Sequence, residues 1–422
     1  MSNIYTIKEG KITNIILILI YRILLDLSYI VFINPVYSYE GFVFKFNSLK
    51  MLESYFFVFI TSSLLPQNNK LPSNIVMNIL NLIMIIPIYS IFAFKNESRI
   101  YAYSVFVSFN LGIIIIRLFP KITYKVKFSF NKFINLFIVS VTVIVYVILI
   151  YFNGLPKLAL LNFNNVYIVR STINYGFPIM TYLVSWLGIV INPYLVITFY
   201  KRNNKLMLFF VIFSQIILYL LTSQKSFLFY PILLVIILYL LYRKDFIKYT
   251  ILGVTAIVVL SMLVYFLARS SFIPRLTIYR TLYLPAQISF QFYEFFSKNG
   301  LVYLSHSIFE PFFTKPIYDT HPIEIIGQIY YYNNFPNTGY LGDAYMNFGI
   351  TGMIVYSILL SFILKLIDGL AENDEKVLTA CAFTGVLSIQ LSNTGLLTTL
   401  LTGGLIVFIM LLWIFKYDDC TI

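Results

Sequence analysis

Runs of some twenty apolar residues recur along this chain, separated by short polar connections. Each run is long enough to cross a bilayer as one helix. The pattern predicts twelve spans, at roughly 12–33, 49–65, 72–94, 100–119, 132–152, 179–200, 205–222, 226–242, 248–268, 348–366, 377–393 and 396–415. The last two form one apolar stretch broken by Ser392-Asn393-Thr394-Gly395, which reads as a turn between hairpinned helices. The first has no small-residue cleavage site behind it and exceeds a signal-peptide core, so it reads as a retained span. Two polar intervals stand out, 153–178 and the much longer 269–347. The expected fold class is all-α: a polytopic integral membrane protein of about twelve transmembrane helices, a single domain over 1–422 with one long extracytoplasmic loop.

Charge fixes the expected orientation. Arg117, Lys121, Lys125, Lys127 and Lys132 cluster in one connection, Lys201, Arg202 and Lys205 in another, and Arg243, Lys244 and Lys248 in a third. With twelve spans all three fall on the side of both termini, which the excess of basic residues marks as cytoplasmic. The intervals 153–178 and 269–347 then face outward, to the periplasm. Composition agrees: 59% of the 422 residues are hydrophobic and 11% charged, against about 25% charged in soluble domains. The net charge of +13 lies in short connections, where it sets topology, and implies no nucleic-acid partner. Cys381 and Cys420 suggest neither a disulfide nor a metal site.

Few places remain for polar chemistry. Arg22 and Asp26 share a helix face in the first span, where a charge is either functional or paired. Pro87 and Pro193 fall inside spans and are expected to kink them. Both histidines, His306 and His321, lie within 269–347, as do Arg269, Arg275, Arg280, Glu294, Glu310, Asp319, Glu324 and Asp343. The smaller interval carries Lys157 and Arg170, and the tight Thr222-Ser223-Gln224-Lys225 turn places one cation on the outer side. An arginine fork suits a phosphate or diphosphate, so Arg170, Lys225, Arg269, Arg275 and Arg280 are candidate ligands for an anionic headgroup borne by a lipid; anchoring to the bilayer is the competing role. Pro285 can open a helix whose Phe290, Phe292, Tyr293, Phe295 and Phe296 are expected to lie in the interface.

A general base has several candidates, His306, His321, Glu310, Glu324 and Asp343. His321 has Asp319 two residues earlier to orient its ring, and Asp343 competes with a role as the cap of span ten. The histidines lack metal-ligand spacing, and no nucleotide-binding loop is present.

The run from Asn337 through Thr338-Gly339-Tyr340-Leu341-Gly342-Asp343-Ala344-Tyr345-Met346-Asn347-Phe348-Gly349 to Gly352 resembles a signature of bacterial O-antigen polymerases, the Wzy family. Arg280-Thr281-Leu282-Tyr283-Leu284-Pro285-Ala286 is similar to a second block of that family. Thr222-Ser223-Gln224-Lys225 resembles a third, with lysine where arginine is more usual. The resemblance implies a membrane glycosyltransferase of lipopolysaccharide biosynthesis at the outer face of the inner membrane. It would transfer glycan from undecaprenyl diphosphate to a second lipid-linked oligosaccharide, without a cofactor and with a partner that sets chain length. An O-antigen ligase and a lipid-linked oligosaccharide flippase are the alternatives.

Overall fold

A computed structural model of the chain describes residues 2–67, 71–123, 131–156, 172–243, 245–307, 309–310, 316–330, 336–371 and 374–414. In chain order the helices are α1 (Ser2–Ser28, continuing through Tyr29–Ile33 to Asn34–Tyr37), α2 (Ser48–Leu64), α3 (Pro72–Phe94), α4 (Arg99–Leu118) and α5 (Asn131–Asn153). There follow α6 (Pro178–Lys201), α7 (Lys205–Thr222), α8 (Lys225–Leu241), α9 (Phe246–Leu267) and α10 (Phe272–Pro274, Arg275–Tyr283 and Leu284–Asn299). The remainder are α11 (Pro322–Ile329), α12 (Tyr340–Leu370), α13 (Asp374–Leu391), α14 (Leu396–Leu400) and α15 (Leu405–Ile414). Eight of them, α1, α3 to α7, α9 and α12, are long and apolar enough to cross a membrane, while α8, α13 and α15 are shorter apolar helices. The chain is therefore an all-helical protein with the character of a polytopic membrane protein.

The helices form a bundle around α3, in which every residue from Pro72 to Phe94 is buried. Its neighbours pair off, with α13 along α3, α12 along α4, α9 along α1 and α10 along α12. The interval expected to be a loop is half helix. Phe290, Phe292 and Phe296 of α10 are buried, not interfacial. Phe290 meets Tyr101 of α4 with ring centroids 5.0 Å apart, and Tyr293 meets Tyr345 of α12 at 5.0 Å. The expectation of a helix lying on the surface fails because residues 285–292 are enclosed on all sides. Span ten, expected from 348, follows a break at Phe348 and Gly349, and a further helical stretch over 340–347 precedes it.

Prolines explain the bundle's irregular turns. Among the described residues four segments are π-helical, Tyr29–Ile33, Asn81–Ile85, Leu187–Ile191 and Arg275–Tyr283, and each ends two residues before a proline (Pro35, Pro87, Pro193, Pro285). A proline ring clashes with the carbonyl four residues back and offers no N–H. The wider π turn moves that carbonyl aside. One backbone acceptor is left over each time, and in two cases a side chain fills it. Ile86 N–H bonds Asn81 O, so Leu82 O loses its partner and accepts the Tyr21 hydroxyl at 2.9 Å. Asn192 N–H bonds Leu187 O, and Gly188 O accepts Gln215 Nε2 at 2.7 Å. The kinks expected at Pro87 and Pro193 take this form.

Arg22 and Asp26 are a buried, saturated pair. Arg22 Nε lies 2.9 Å from Asp26 Oδ2, while its other nitrogens donate to Ile86 O at 2.8 Å and Ser54 Oγ at 3.2 Å. Asp26 accepts the hydroxyls of Tyr55 at 3.0 Å and Ser90 at 2.8 Å. The cluster ties α1, α2 and α3 together, which is the structural alternative of the two roles open to it.

Side-chain contacts also define two ends. At one, Lys95 Nζ reaches Gln287 at 3.1 Å, Trp186 Nε1 donates to Leu401 O at 2.8 Å and Gln224 bonds Tyr175 at 3.3 Å. At the other, Asp368 accepts the N–H and hydroxyl of Ser73 at 3.0 and 2.6 Å, Ile122 N–H bonds Lys365 O, and Lys201 bonds Thr379.

Removing one member of a buried ion pair costs about 3–5 kcal/mol. Arg22→Ala should accordingly lower the unfolding temperature in detergent far more than the Arg22→Leu/Asp26→Leu double variant does. Equal melting of the single and double variants would show that the orphaned carboxylate carries no penalty.

Candidate functional site

The site begins with a break in α12. Phe348 (φ −139°) and Gly349 (φ 63°, ψ −149°) are not helical, and the conformation of Gly349 is one that only glycine adopts readily. At the break the carbonyls of Met346 and Asn347 accept the N–H groups of Val302 and Tyr303 at 2.9 and 3.1 Å. Asn347 Oδ1 accepts Leu304 N–H at 3.0 Å, and its Nδ2 donates to Asp343 O at 3.0 Å. Residues 302–304 are thereby bound to the first two turns of α12. Tyr303 (φ 50°) and Leu304 (φ 64°) are held in the left-handed region, at about 1–2 kcal/mol each.

Asp343 sits one turn into α12. The N-cap is Gly339, without a side-chain hydrogen bond, so the capping role weighed for Asp343 does not hold. Its carboxylate lies against the turn between α13 and α14: a Cβ on Gly395 would come within 2.3 Å of Asp343 Oδ2. Gly339 is pressed as closely, since a Cβ there would meet Ser392 O at 3.0 Å and Leu391 O at 3.1 Å. Two glycines thus let the strip 339–343 settle onto the Ser392–Gly395 turn. Among the described residues no hydrogen bond or ion pair engages the Asp343 carboxylate.

A cavity of about 330 Å³ opens beside it, walled by α12, the 302–307 segment, the start of α11, α14 and Tyr182 of α6. Asp343, Asn347, His306 and His321 all line it, with Thr398 and Thr402 opposite. The imidazole centroids are 5.8 Å apart. His306 Nε2 is buried with no hydrogen-bond partner among the described residues. His321 is the N-cap of α11, and its Nδ1 accepts Ile323 N–H at 3.3 Å. An imidazole accepting through Nδ1 carries its proton on Nε2 when neutral. In this tautomer His321 presents a donor to the cavity. Asp319 is exposed and does not orient the ring; the Ile323 N–H does. Of the expected candidates, Asp343 alone faces the cavity as a carboxylate. Glu310 and Glu324 are exposed outside its lining, and exposed Glu294 pairs with Lys298 at 3.2 Å.

Lys225, Arg269, Arg275 and Arg280 lie outside this group. Arg170 and Lys157 lie outside the described residues. No arginine or lysine among the described residues lines the cavity. Lys225 is half-buried at the start of α8, and Arg269 is exposed just past the end of α9. Arg275 is exposed and Arg280 half-buried, and both lie within electrostatic reach of Tyr37. Tyr37 stacks on Tyr279 at 3.9 Å, and the Tyr279 hydroxyl bonds Glu40. Arg275 and Arg280 thus stand with Tyr37, Tyr279 and Glu40, apart from the cavity lining. Among the described residues no set of three histidine, cysteine or acidic groups is placed to share a metal ion. Gly395, Asn347 and Tyr182 were not singled out as site residues; the Ser-Asn-Thr-Gly turn was the one available signal, and it read as a hairpin.

Burial against the cavity wall, and then the charge His306 acquires, push the His321 pKa below its ordinary 6.5, while Glu324 and Glu310 oppose the shift. A lowered pKa means that the folded state resists the proton. The stability it contributes is complete above about pH 6.5 and is lost as pH falls through the lower folded value. Protonation at Nδ1 also removes the acceptor for Ile323 N–H. Amide exchange in α11, corrected for its intrinsic rate, should therefore quicken between about pH 7.5 and pH 5. His321→Asn, a good cap that does not titrate, should flatten this response.

Comparison with known proteins finds no matching family model, no matching characterised relative and no matching solved structure.

Proposed function

We propose that the chain is an O-antigen polymerase, a membrane glycosyltransferase that joins undecaprenyl-diphosphate-linked oligosaccharides at the outer face of the bacterial inner membrane. The observation that carries the reading is the convergence of Asp343, His306 and His321 on one cavity at one end of the bundle. These residues are 15 to 37 positions apart in the chain, and a purely structural bundle has no need to gather them. A cavity of about 330 Å³ is at the small end of the roughly 300–1,000 Å³ range of small-molecule sites. It suits the terminal sugar of a repeat unit, with the remainder of the glycan outside. Its position at one end favours an enzyme over a flippase, whose site belongs near the bilayer midplane.

In this reading an acceptor hydroxyl enters beside Asp343. The hydroxyl oxygen attacks the anomeric carbon of the donor glycan, and the bond from that carbon to the diphosphate oxygen breaks with its electron pair. The hydroxyl proton passes to the Asp343 carboxylate as the new glycosidic bond forms. His321 Nε2–H holds another oxygen of the acceptor. The departing diphosphate carries the charge that arginine stabilises best, the role given to Arg280 and Arg275, which stand outside the cavity lining and would meet the diphosphate where the donor extends beyond it, with Arg170 as a further candidate. A partner that sets chain length would act on the exposed outer segments.

Asp343→Asn is nearly isosteric and removes the proton acceptor, so polymerisation should fall by about 10²–10⁴-fold. Cells should then carry core with a single repeat while protein level holds. Wild-type chain lengths in that variant would dismiss Asp343 as the base. The ladder separates the enzyme classes as well: a strain without this chain that accumulates free lipid-linked polymer points to a ligase, and one with no surface repeat points to a flippase. Arg280→Ala should abolish long chains and Arg280→Lys should restore them poorly, since lysine lacks the planar fork.

Orientation has its own test. In a Cys420→Ser background, a cysteine replacing exposed Ser297 should react with an impermeant maleimide on spheroplasts. One replacing exposed Lys121 should react only after the membrane is opened. The reverse pattern would place the cavity on the wrong face for this function.

A further inference from the structure

Two consecutive residues without glycine's freedom, Tyr303 and Leu304, adopt positive φ beside the cavity. Such a turn persists only where its surroundings over-determine it. One residue supplies that grip from two directions. Asn347 takes Tyr303 N–H on its main-chain oxygen and Leu304 N–H on Oδ1, while its Nδ2 is anchored to Asp343 O. Asn347 is 4% exposed, so water does not replace these bonds. The Leu304 carbonyl in turn accepts Ser307 N–H at 3.0 Å and the Ser307 hydroxyl at 2.7 Å, with His306 enclosed between them in sequence.

We propose that Asn347 is a positioning residue: it clamps the strained Tyr303-Leu304 turn and so fixes the His306 wall of the cavity at a set distance from Asp343. Asp343 and His306 stand on two separate pieces of chain, and the Asn347 side chain is bonded to both pieces. The proposal rests on reading the cavity as the reaction site, but its test needs no catalysis.

The protein has two histidines, so carbethoxylation by diethyl pyrocarbonate reports on this cavity alone. In a His321→Gln background the reaction reads His306 by itself. With the full-length protein in detergent, Asn347→Ala should raise the His306 modification rate severalfold. Adding Leu304→Asn to Asn347→Ala should return the rate close to its starting value, because asparagine tolerates the left-handed region at similar size. A residue that merely filled space would show no such rescue. An unchanged rate in Asn347→Ala, or a raised rate that Leu304→Asn fails to lower, overturns the proposal. If Asn347→Ala does not reach the membrane, Asn347→Asp decides the matter. It keeps the acceptor for Leu304 N–H but loses the Nδ2 donor that anchors it to Asp343 O, so the His306 rate should still rise, and an unchanged rate would overturn the clamp. A polymer defect in Asp343→Asn bears on the enzymatic reading, whereas these rates bear only on the clamp.

Discussion

Hydrocarbon offers no hydrogen bonds, so a backbone that enters it must satisfy every N–H and C=O from within the protein. Most of this architecture follows from that constraint. It selects helices, and it explains why Pro35, Pro87, Pro193 and Pro285 are each preceded by a π turn. It also explains why the carbonyls released at Leu82 and Gly188 are met by Tyr21 and Gln215. The same rule governs charge. Arg22 is tolerated at zero exposure because its guanidinium is shared among Asp26, Ser54 and Ile86 O.

Where the constraint relaxes, at the end of the bundle, the chain does something else. The break at Gly349 turns two carbonyls of α12 toward another strand of chain, and Asn347 adds a third acceptor. Regular secondary structure holds Asp343 on one side. An irregular but fully bonded turn holds His306 on the other. The site is thus assembled from a rigid helix and a strained segment.

Apolar runs announce the helices, and the basic clusters group their connections, because both signals are local in sequence. Burial is not local. The spans α3 and α9 have mean hydropathies of 2.2 and 2.4, yet one is wholly enclosed and the other mostly uncovered. Lipid and protein interior make the same demand on a side chain. The mixed spacing of its aromatics gives α10 the look of an interfacial helix, but Gln287, Ser289 and Gln291 are buried along with Phe290, Phe292 and Phe296, and Gln287 is bonded to Glu40 O at 2.8 Å. For the site, titratable side chains stand out in a chain with so few of them, so Asp343, His306 and His321 were legible as chemistry. Their meeting was not, and neither was the tautomer that makes His321 a donor, because that depends on one N–H two residues away. The close approach of Gly395 to Asp343 joins residues more than fifty apart, and nothing in either neighbourhood marks it.

The complete enclosure of α3 bears on how the protein is made. A helix leaves the translocation channel for the bilayer according to its own apolarity, before the helices that follow it in the chain exist. Its mean hydropathy of 2.2 therefore serves a passage through lipid that the finished molecule no longer displays. Its three asparagines, Asn74, Asn78 and Asn81, are all buried in the final bundle. They weigh against that passage and must be carried by the Ile, Leu and Met residues around them. Substitutions on α3 are thus judged twice, first by the membrane during synthesis and then by the neighbours that close over it.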